Sequence, residues 1–340
     1  MKNILKEHEL AFDTIKKVLS DVSGWDNDCI VLFTGGEPFL RKDIFEIIEY
    51  SVNLGLKTEV VSNGSQINNQ VMARRIIGSG LKNIAISLDG ADPATHDYIR
   101  GRDGAHKEAV EALNYLCQEK QAAKSGPQIS IWTTIMRENI GSLYDMIFLA
   151  KEIGVECLVY HPVIVAQDDM QSTIKGGSLW PPKSEIARFR EQIDKISCYQ
   201  RENGLVAFLH DPYLWLKYFQ GTLGKEDWKC NPFIFIDIGP DGNVRSCGPA
   251  FGNVRDAGLN ACLETDAADK ARQRMKECLK PCLQTCWARP EADNLLEAVK
   301  EFNSGIKSAK GGKEDKLAVI TRGFDILEGY EKKLSEAQRK

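Results

Sequence analysis

From Leu5 to Val22 the apolar residues Leu5, Leu10, Phe12, Ile15, Val18, Leu19 and Val22 recur at mixed three- and four-residue steps. That spacing places them on one face of a helix. Apolar runs then fall at Ile30 to Phe33, Thr58 to Ser62, Ile84 to Leu88, Ile129 to Thr134 and Cys157 to His161. Helical segments such as Ile44 to Leu54 and His106 to Glu119 separate them. Strands alternating with helices predict a parallel sheet with right-handed crossovers, an α/β fold. The pattern weakens from Gln167 to Pro182, where Gly176-Gly177 and Pro181-Pro182 mark a linker. A helix from Lys183 to Gln200 and the aromatic run Tyr213 to Phe219 follow. The aromatic run reads, from its residues, as a packed hydrophobic connector. The tail after Leu295 holds the basic spacer Ser308 to Lys313 and reads as a solvated surface segment.

Composition narrows the class. With 340 residues, 43% of them hydrophobic and 27% charged, the chain has ordinary globular make-up and room for a core plus a smaller domain. A net charge of -4 offers no basic face to nucleic acid or anionic lipid. No apolar run approaches the roughly 20 residues of a membrane span, and the charged start Met1 to Leu10 is no signal peptide. A cytoplasmic address is therefore expected. Ten cysteines without an export signal point to metal binding more than to a disulfide scaffold. Cys29, Cys117, Cys157, Cys198 and Cys262 occur singly and read as small buried hydrophobes.

The other five cysteines are grouped. Cys230 precedes the apolar Phe233 to Ile236, and Gly239-Pro240-Asp241-Gly242 then turns the chain toward Cys247. Two short strands joined by that turn would bring Cys230 and Cys247 toward one end of a hairpin. Cys278, Cys282 and Cys286 recur at four-residue steps, with Pro281 favouring a turn over a helix. No histidine lies between Cys230 and Cys286, so the ligand set is all thiolate. Four thiolates suit tetrahedral zinc or one [4Fe-4S] cluster equally well, with one cysteine to spare.

Nearer the N-terminus, Thr34-Gly35-Gly36-Glu37-Pro38-Phe39-Leu40-Arg41 joins a strand to a helix and carries a carboxylate at its tip. Its glycines allow close backbone approach to a ligand, Glu37 can receive a cationic group, and Pro38 suits a first helical turn. Val60-Val61-Ser62-Asn63-Gly64 and Ile84-Ala85-Ile86-Ser87-Leu88-Asp89-Gly90 end the next two strands.

Taken in this order, the Gly-Gly-Glu turn, the two strand ends and the Gly242-x4-Cys247 stretch resemble the radical S-adenosylmethionine (SAM) enzymes. The likeness is to the SPASM and twitch group, which carry auxiliary iron-sulfur clusters, and runs from about Leu5 to Trp287. It implies a partial (βα)6 TIM-like barrel over residues 1–165, a bridging segment 166–227, a small cysteine-rich hairpin and helix domain over 228–290, and a helical tail 291–340. It further implies that Gly35, Gly36 and Glu37 receive the SAM amine and that Ser62 and Asn63 hydrogen-bond its ribose or carboxylate. Ser87 and Asp89 would end the following strand, with Asp89 toward the reaction chamber. Arg100 would meet the SAM carboxylate, its alternative being a surface ion pair; His161 reads as a commonplace turn histidine.

With the family, the cysteine cluster reads as one auxiliary [4Fe-4S] site, Cys230, Cys247, Cys282 and Cys286 first and Cys278 next. A second [4Fe-4S] cluster serves SAM in the intact enzymes, held by a Cys-x3-Cys-x2-Cys loop after the first barrel strand. Here Cys29 alone precedes the Gly-Gly-Glu turn and Cys117 comes next. The resemblance thus implies that the first strand and its cysteine loop are missing, by N-terminal truncation, and that this chain alone is catalytically incomplete. The implied reaction is hydrogen abstraction by a 5'-deoxyadenosyl radical, in a maturase acting on a peptide or small molecule, with an electron donor such as flavodoxin or ferredoxin. The competing reading is a non-catalytic iron-sulfur or zinc protein descended from such a barrel.

Overall fold

A computed structural model describes residues 9–25, 29–164, 173–174, 177–208, 212–224, 227, 229–230, 235–278, 283 and 287–288. The chain runs through α1 (Phe12–Ser23), β1 (Ile30–Phe33), α2 (Ile44–Asn53), β2 (Lys57–Ser62), α3 (Gln70–Ile77), β3 (Asn83–Ser87), α4 (Pro93–Arg100), α5 (Ala105–Ala123), β4 (Gln128–Ile135), α6 (Asp145–Ile153) and β5 (Cys157–Pro162). There follow β6 (Thr173–Ile174), β7 (Gly177–Ser178), α7 (Ile186–Asn203), β8 (Val206–Phe208) and α8 (Pro212–Gln220). The last described elements are β9 (Lys229–Cys230), β10 (Asp237–Ile238), β11 (Asn243–Arg245), β12 (Gly252–Asn253), α9 (Leu259–Leu263), α10 (Asp266–Lys276) and β13 (Trp287–Ala288).

Six strands form one sheet in the order β1-β2-β3-β4-β5-β8, and every neighbouring pair is parallel. The five strands read from the apolar runs are all present. The sixth, β8, escapes a periodicity reading because three residues between two helices are too few to show a period. It joins the edge through Leu158↔Val206 and Tyr160↔Phe208.

One face of the sheet is sealed by helices: Ile84, Ile86, Ile129, Ile131, Ile135, Leu158 and Tyr160 are at most 1% exposed. Helix termini are fixed by local chemistry. Asp92 caps α4 by accepting from the Thr95 N–H, Pro93 opens the first turn, and Gly101 closes it in the left-handed region at φ 65°. The aromatic run is α8, where Trp215, Leu216, Tyr218 and Phe219 are buried and the Phe219 carbonyl accepts from Trp180 Nε1 at 3.0 Å. A packed connector describes it.

The cysteine-rich stretch has its own small core of Val244, Phe251, Val254, Leu259, Cys262, Ala268 and Ala271 around the antiparallel sheet β10-β11-β12. Its hairpin is shorter than the sequence suggests. Asp237–Ile238 pairs with Asn243–Arg245, whereas Cys230 is on β9, outside that sheet. Leu10, Val18, Val22 and Trp25 from the N-terminal helical segment pack against the same core. Trp25 Nε1 donates to Asn260 Oδ1 at 2.8 Å, and the Asn260 N–H donates to Asp21 Oδ2 at 3.3 Å. Helix α1 is thus a shared wall, and residues 1–225 and 230–287 form one compact unit. In the second unit, 226–229 and 288–340, only Asp227, Lys229 and Ala288 are described. The tail expectation lies outside the described residues.

Of the five single cysteines, Cys262 alone is buried; Cys29, Cys117 and Cys157 are half-buried and Cys198 is exposed on α7. A small thiol on an amphipathic helix is tolerated on either face, so apolar neighbours in sequence did not decide its burial. Among the described residues no helix is long and apolar enough to cross a membrane.

Leu259 is 2% exposed in the core that α1 shares. Leu259→Ala should cost about 2–5 kcal/mol, the usual range for a buried leucine. It should also speed amide exchange in α1; α1 exchange identical to wild type would show that the two segments unfold independently.

Candidate cofactor site

Strand β1 delivers the chain into the glycine turn at the C-terminal edge of the sheet, where parallel α/β proteins place ligands. Gly35 has φ +136°, and a Cβ built on Gly35 or Gly36 would meet nothing within 4 Å. The turn therefore presents bare backbone to open space. Pro38–Leu40 forms one 3-10 turn, capped by the Glu37 carboxylate, which accepts from the Phe39 N–H at 3.2 Å.

The same carboxylate crosses to the end of β2. Ser62 Oγ reaches its two oxygens at 2.9 and 3.0 Å, and the Asn63 N–H donates at 2.8 Å. Asn63 Nδ2 makes a longer contact, 3.4 Å, to the Gly36 carbonyl. Ser62 is 1% exposed, and its Oγ also accepts from the Gly64 N–H at 3.0 Å. Burial holds the Glu37 carboxyl above its ordinary range, against the opposing pull of the Asn63, Phe39 and Ser62 donors. Protein donors thus occupy the carboxylate that the sequence suggests for a cation. Its geometry is that of a tie between two βα loops.

A second cluster closes the ends of β3 and β4. Asp89 is 2% exposed; Arg100 Nη2 reaches Asp89 Oδ2 at 2.7 Å and the Thr134 N–H donates to Oδ1 at 2.9 Å. Arg100 itself is 33% exposed. It is neither a solvated surface pair nor a guanidinium wholly presented to a ligand. Asn139, which no motif marks, donates from Nδ2 to the carbonyls of Asp89 and Thr134, both at 2.8 Å. Its only sequence signal was an asparagine in the loop after a strand. The Asp89 N–H donates to His96 Nδ1 at 2.9 Å, so that nitrogen carries no proton. Burial, aided by the Arg100 charge, pushes His96 down to about 3. Burial raises the Asp89 carboxyl, while Arg100 and the Thr134 N–H oppose it. Thr134 Oγ1 lies 3.0 Å from His161 Nε2, which brings the histidine set aside in the sequence reading to the edge of this cluster. Ser87 is half-buried at the end of β3, level with Trp132.

Cys247 is exposed in the left-handed region at φ 57°, unusual for a residue with a Cβ, and Arg274 Nη2 donates to its carbonyl at 3.0 Å. Cys278 is half-buried just beyond α10. Cys230 ends β9, whose partner strand β13 begins at Trp287, the residue after Cys286. Cys282 and Cys286 lie outside the described residues. Among the described residues no group of three or more His, Cys, Asp or Glu side chains is arranged to hold a metal ion.

Residues 2–150 match the radical SAM superfamily. The AdoMet-dependent heme synthase of Nitratidesulfovibrio vulgaris is 36% identical over 125 residues, 37% of this chain and 32% of that protein. The PqqA peptide cyclase of Bradyrhizobium diazoefficiens is 25% identical over 150 residues, 44% of this chain and 37% of that protein. The matches thus span about a third of these relatives' lengths. Among solved structures, native anSMEcpe with bound AdoMet aligns with a TM-score of 0.60 at 16% identity, over 79% of this chain and 76% of that one. At that identity the likeness is one of fold.

His96 supplies a pH test. Its folded value, about 3, lies below the ordinary 6.5, so its contribution to stability is present above pH 6.5 and is lost as pH falls toward 3. Denaturant unfolding should show stability decreasing from pH 7 to pH 4. His96→Gln, which cannot take up that proton, should lose less over the same range; parallel curves would contradict the assignment.

Proposed function

We propose, for a chain whose residues 2–150 belong to the radical SAM superfamily, that the C-terminal edge of its parallel sheet binds SAM. The observation that carries this reading is the Glu37 carboxylate, tied to Ser62 and Asn63 while the adjoining Gly35-Gly36 backbone faces open space. Glu37 acts as a positioning residue: it fixes the turn so that backbone groups, not a mobile side chain, meet the methionyl amine. Asn63 and the partly exposed Arg100 are the polar groups nearest in chemistry to the ribose and carboxylate. The ion pair with Asp89 fixes the direction of the Arg100 guanidinium.

Enzymes of this superfamily use SAM and a [4Fe-4S] cluster for hydrogen-atom abstraction. Nowhere do the 340 residues contain Cys-x3-Cys-x2-Cys, so the thiolates present do not fit a SAM-anchoring cluster. The chain taken alone therefore binds SAM without cleaving it. A second site, an auxiliary [4Fe-4S] cluster of twitch or short SPASM type, draws on Cys230, Cys247, Cys278, Cys282 and Cys286. The ladder that sets Cys230 one strand from Trp287 supports bringing those groups together. Whole-protein chemistry, by analogy with relatives named a peptide cyclase and a heme synthase, is maturation of a peptide or a small molecule, with electrons from a flavodoxin- or ferredoxin-like donor. The alternative, a non-catalytic iron-sulfur or zinc protein, is favoured by the missing triad alone.

Calorimetric titration with SAM should show binding that Glu37→Ala weakens by about tenfold or more, since both loops lose their tie. Absence of binding to the wild-type chain would defeat the cofactor reading. Dithionite and SAM should give no 5'-deoxyadenosine above background, and repeated turnover would refute the incompleteness.

Anaerobically purified protein should be brown with about four irons per chain. Cys286→Ala should lose them and Cys117→Ala should not. Colourless protein with stoichiometric zinc would replace the auxiliary cluster by a structural metal.

A further inference from the structure

Asp89 is held at every polar atom. Its N–H donates to His96 Nδ1 at 2.9 Å, and its carbonyl accepts from Asn139 Nδ2 at 2.8 Å. Of its carboxylate oxygens, Oδ1 accepts from the Thr134 N–H at 2.9 Å and Oδ2 from Arg100 Nη2 at 2.7 Å. Nothing polar on this residue, 2% exposed, is left without a partner, so its carboxylate has one orientation.

Among these partners Asn139 reaches furthest. Its Nδ2 donates to the Thr134 carbonyl as well, at 2.8 Å, and its Oδ1 accepts from the Met136 N–H at 2.9 Å. An amide that is itself 1% exposed thus joins the chain leaving β3 to the end of β4 and to the turn beyond it. Few side chains can make this set. Two N–H donors and one carbonyl on a short stem are needed; an aspartate brings no donor and a serine brings one.

Arg100 is the last residue of α4, and its side chain is 33% exposed. Asp89 is its only ion-pair partner among the described residues. A guanidinium carries five N–H donors in a flat fork, so turning one edge toward Asp89 aims the remainder in one direction. That direction is inherited along a chain of contacts, from Asn139 to Asp89 to Arg100.

We propose that Asn139 is a positioning residue for ligand selection: by locking Asp89 against Thr134 it sets the direction of the Arg100 guanidinium, so that the site discriminates for the carboxylate of SAM. Asn139 itself touches no ligand. The proposal rests on the reading of this sheet edge as the SAM site. Without the Asn139 amide, the Asp89 carbonyl loses its donor and the link to Thr134 is cut; Arg100 keeps its charge and loses its aim.

The test is calorimetric titration of the full chain with SAM and with decarboxylated SAM, which keeps the adenosine, sulfonium and amine and lacks only the carboxylate. Wild-type protein should prefer SAM by about tenfold or more, the usual weight of a charged hydrogen bond. Asn139→Ala should cut that preference to about threefold or less while decarboxylated SAM binds within about threefold of wild type. Arg100→Gln should behave alike, and the double variant should lose no more, because one effect passes through the other. Asn139→Ser, which keeps one donor, should fall in between and carries the test if the alanine variant does not fold. Equal weakening of both ligands would mark a purely structural role and overturn the proposal, as would an unchanged preference in a folded variant. Wild-type protein that binds SAM without preferring it also overturns the proposal but leaves the cofactor reading standing. Binding of neither ligand retires both.

Discussion

The arrangement at the sheet edge depends on one carboxylate. Glu37 leaves β1, caps its own 3-10 turn through the Phe39 N–H, and accepts from Ser62 and Asn63 at the end of β2. Glycine turns are soft because Gly35 and Gly36 have no side chains to pack. A charged acceptor taking hydrogen bonds from the next loop removes that softness. The cost is burial of a carboxylate, visible in its raised proton affinity, and the donors around it offset part of that cost. A ligand then meets a backbone whose shape is already set.

The ends of β3 and β4 use the same device with a different cast. Asp89 is buried more deeply than Glu37 and is held by Arg100 and the Thr134 N–H, while Asn139 bridges the carbonyls of Asp89 and Thr134. A neutral His96 satisfies the remaining Asp89 N–H. Burial first, and then the nearby Arg100 charge, lowers its proton affinity and keeps the ring in the neutral form that can accept from this N–H. The half-buried Glu37 and the buried Asp89 thus join four successive βα loops in pairs at one edge of the sheet.

Helix α1 has a different role. Its apolar face is shared with the core of the cysteine-rich stretch, and Trp25 and Asp21 hydrogen-bond to Asn260. The cysteine-rich segment is therefore anchored by the first described helix, although some 200 residues of chain lie between them in the closing of one hydrophobic cluster, the Asp21–Asn260 contact spanning 239 positions. Burial of a common core makes the two segments stand or fall together.

What the sequence by itself determined was local. The alternation of apolar runs with helical segments named five strands of the sheet, and Gly35-Gly36-Glu37, Ser62-Asn63 and Ser87-x-Asp89 marked strand ends where chemistry collects. These signals lie within one or two turns of chain, where backbone periodicity and glycine geometry act. Tertiary structure decided the partners. Glu37 looked free for a cation until folding set Ser62, 25 positions away, against it. Arg100 was undecided between ligand and surface until Asp89 closed on it. His161 and Asn139 carried no pattern at all, and β8 was too short to have one. Each of those outcomes is a contact between segments distant in sequence, set by the packing of strands and loops that no spacing along the chain encodes.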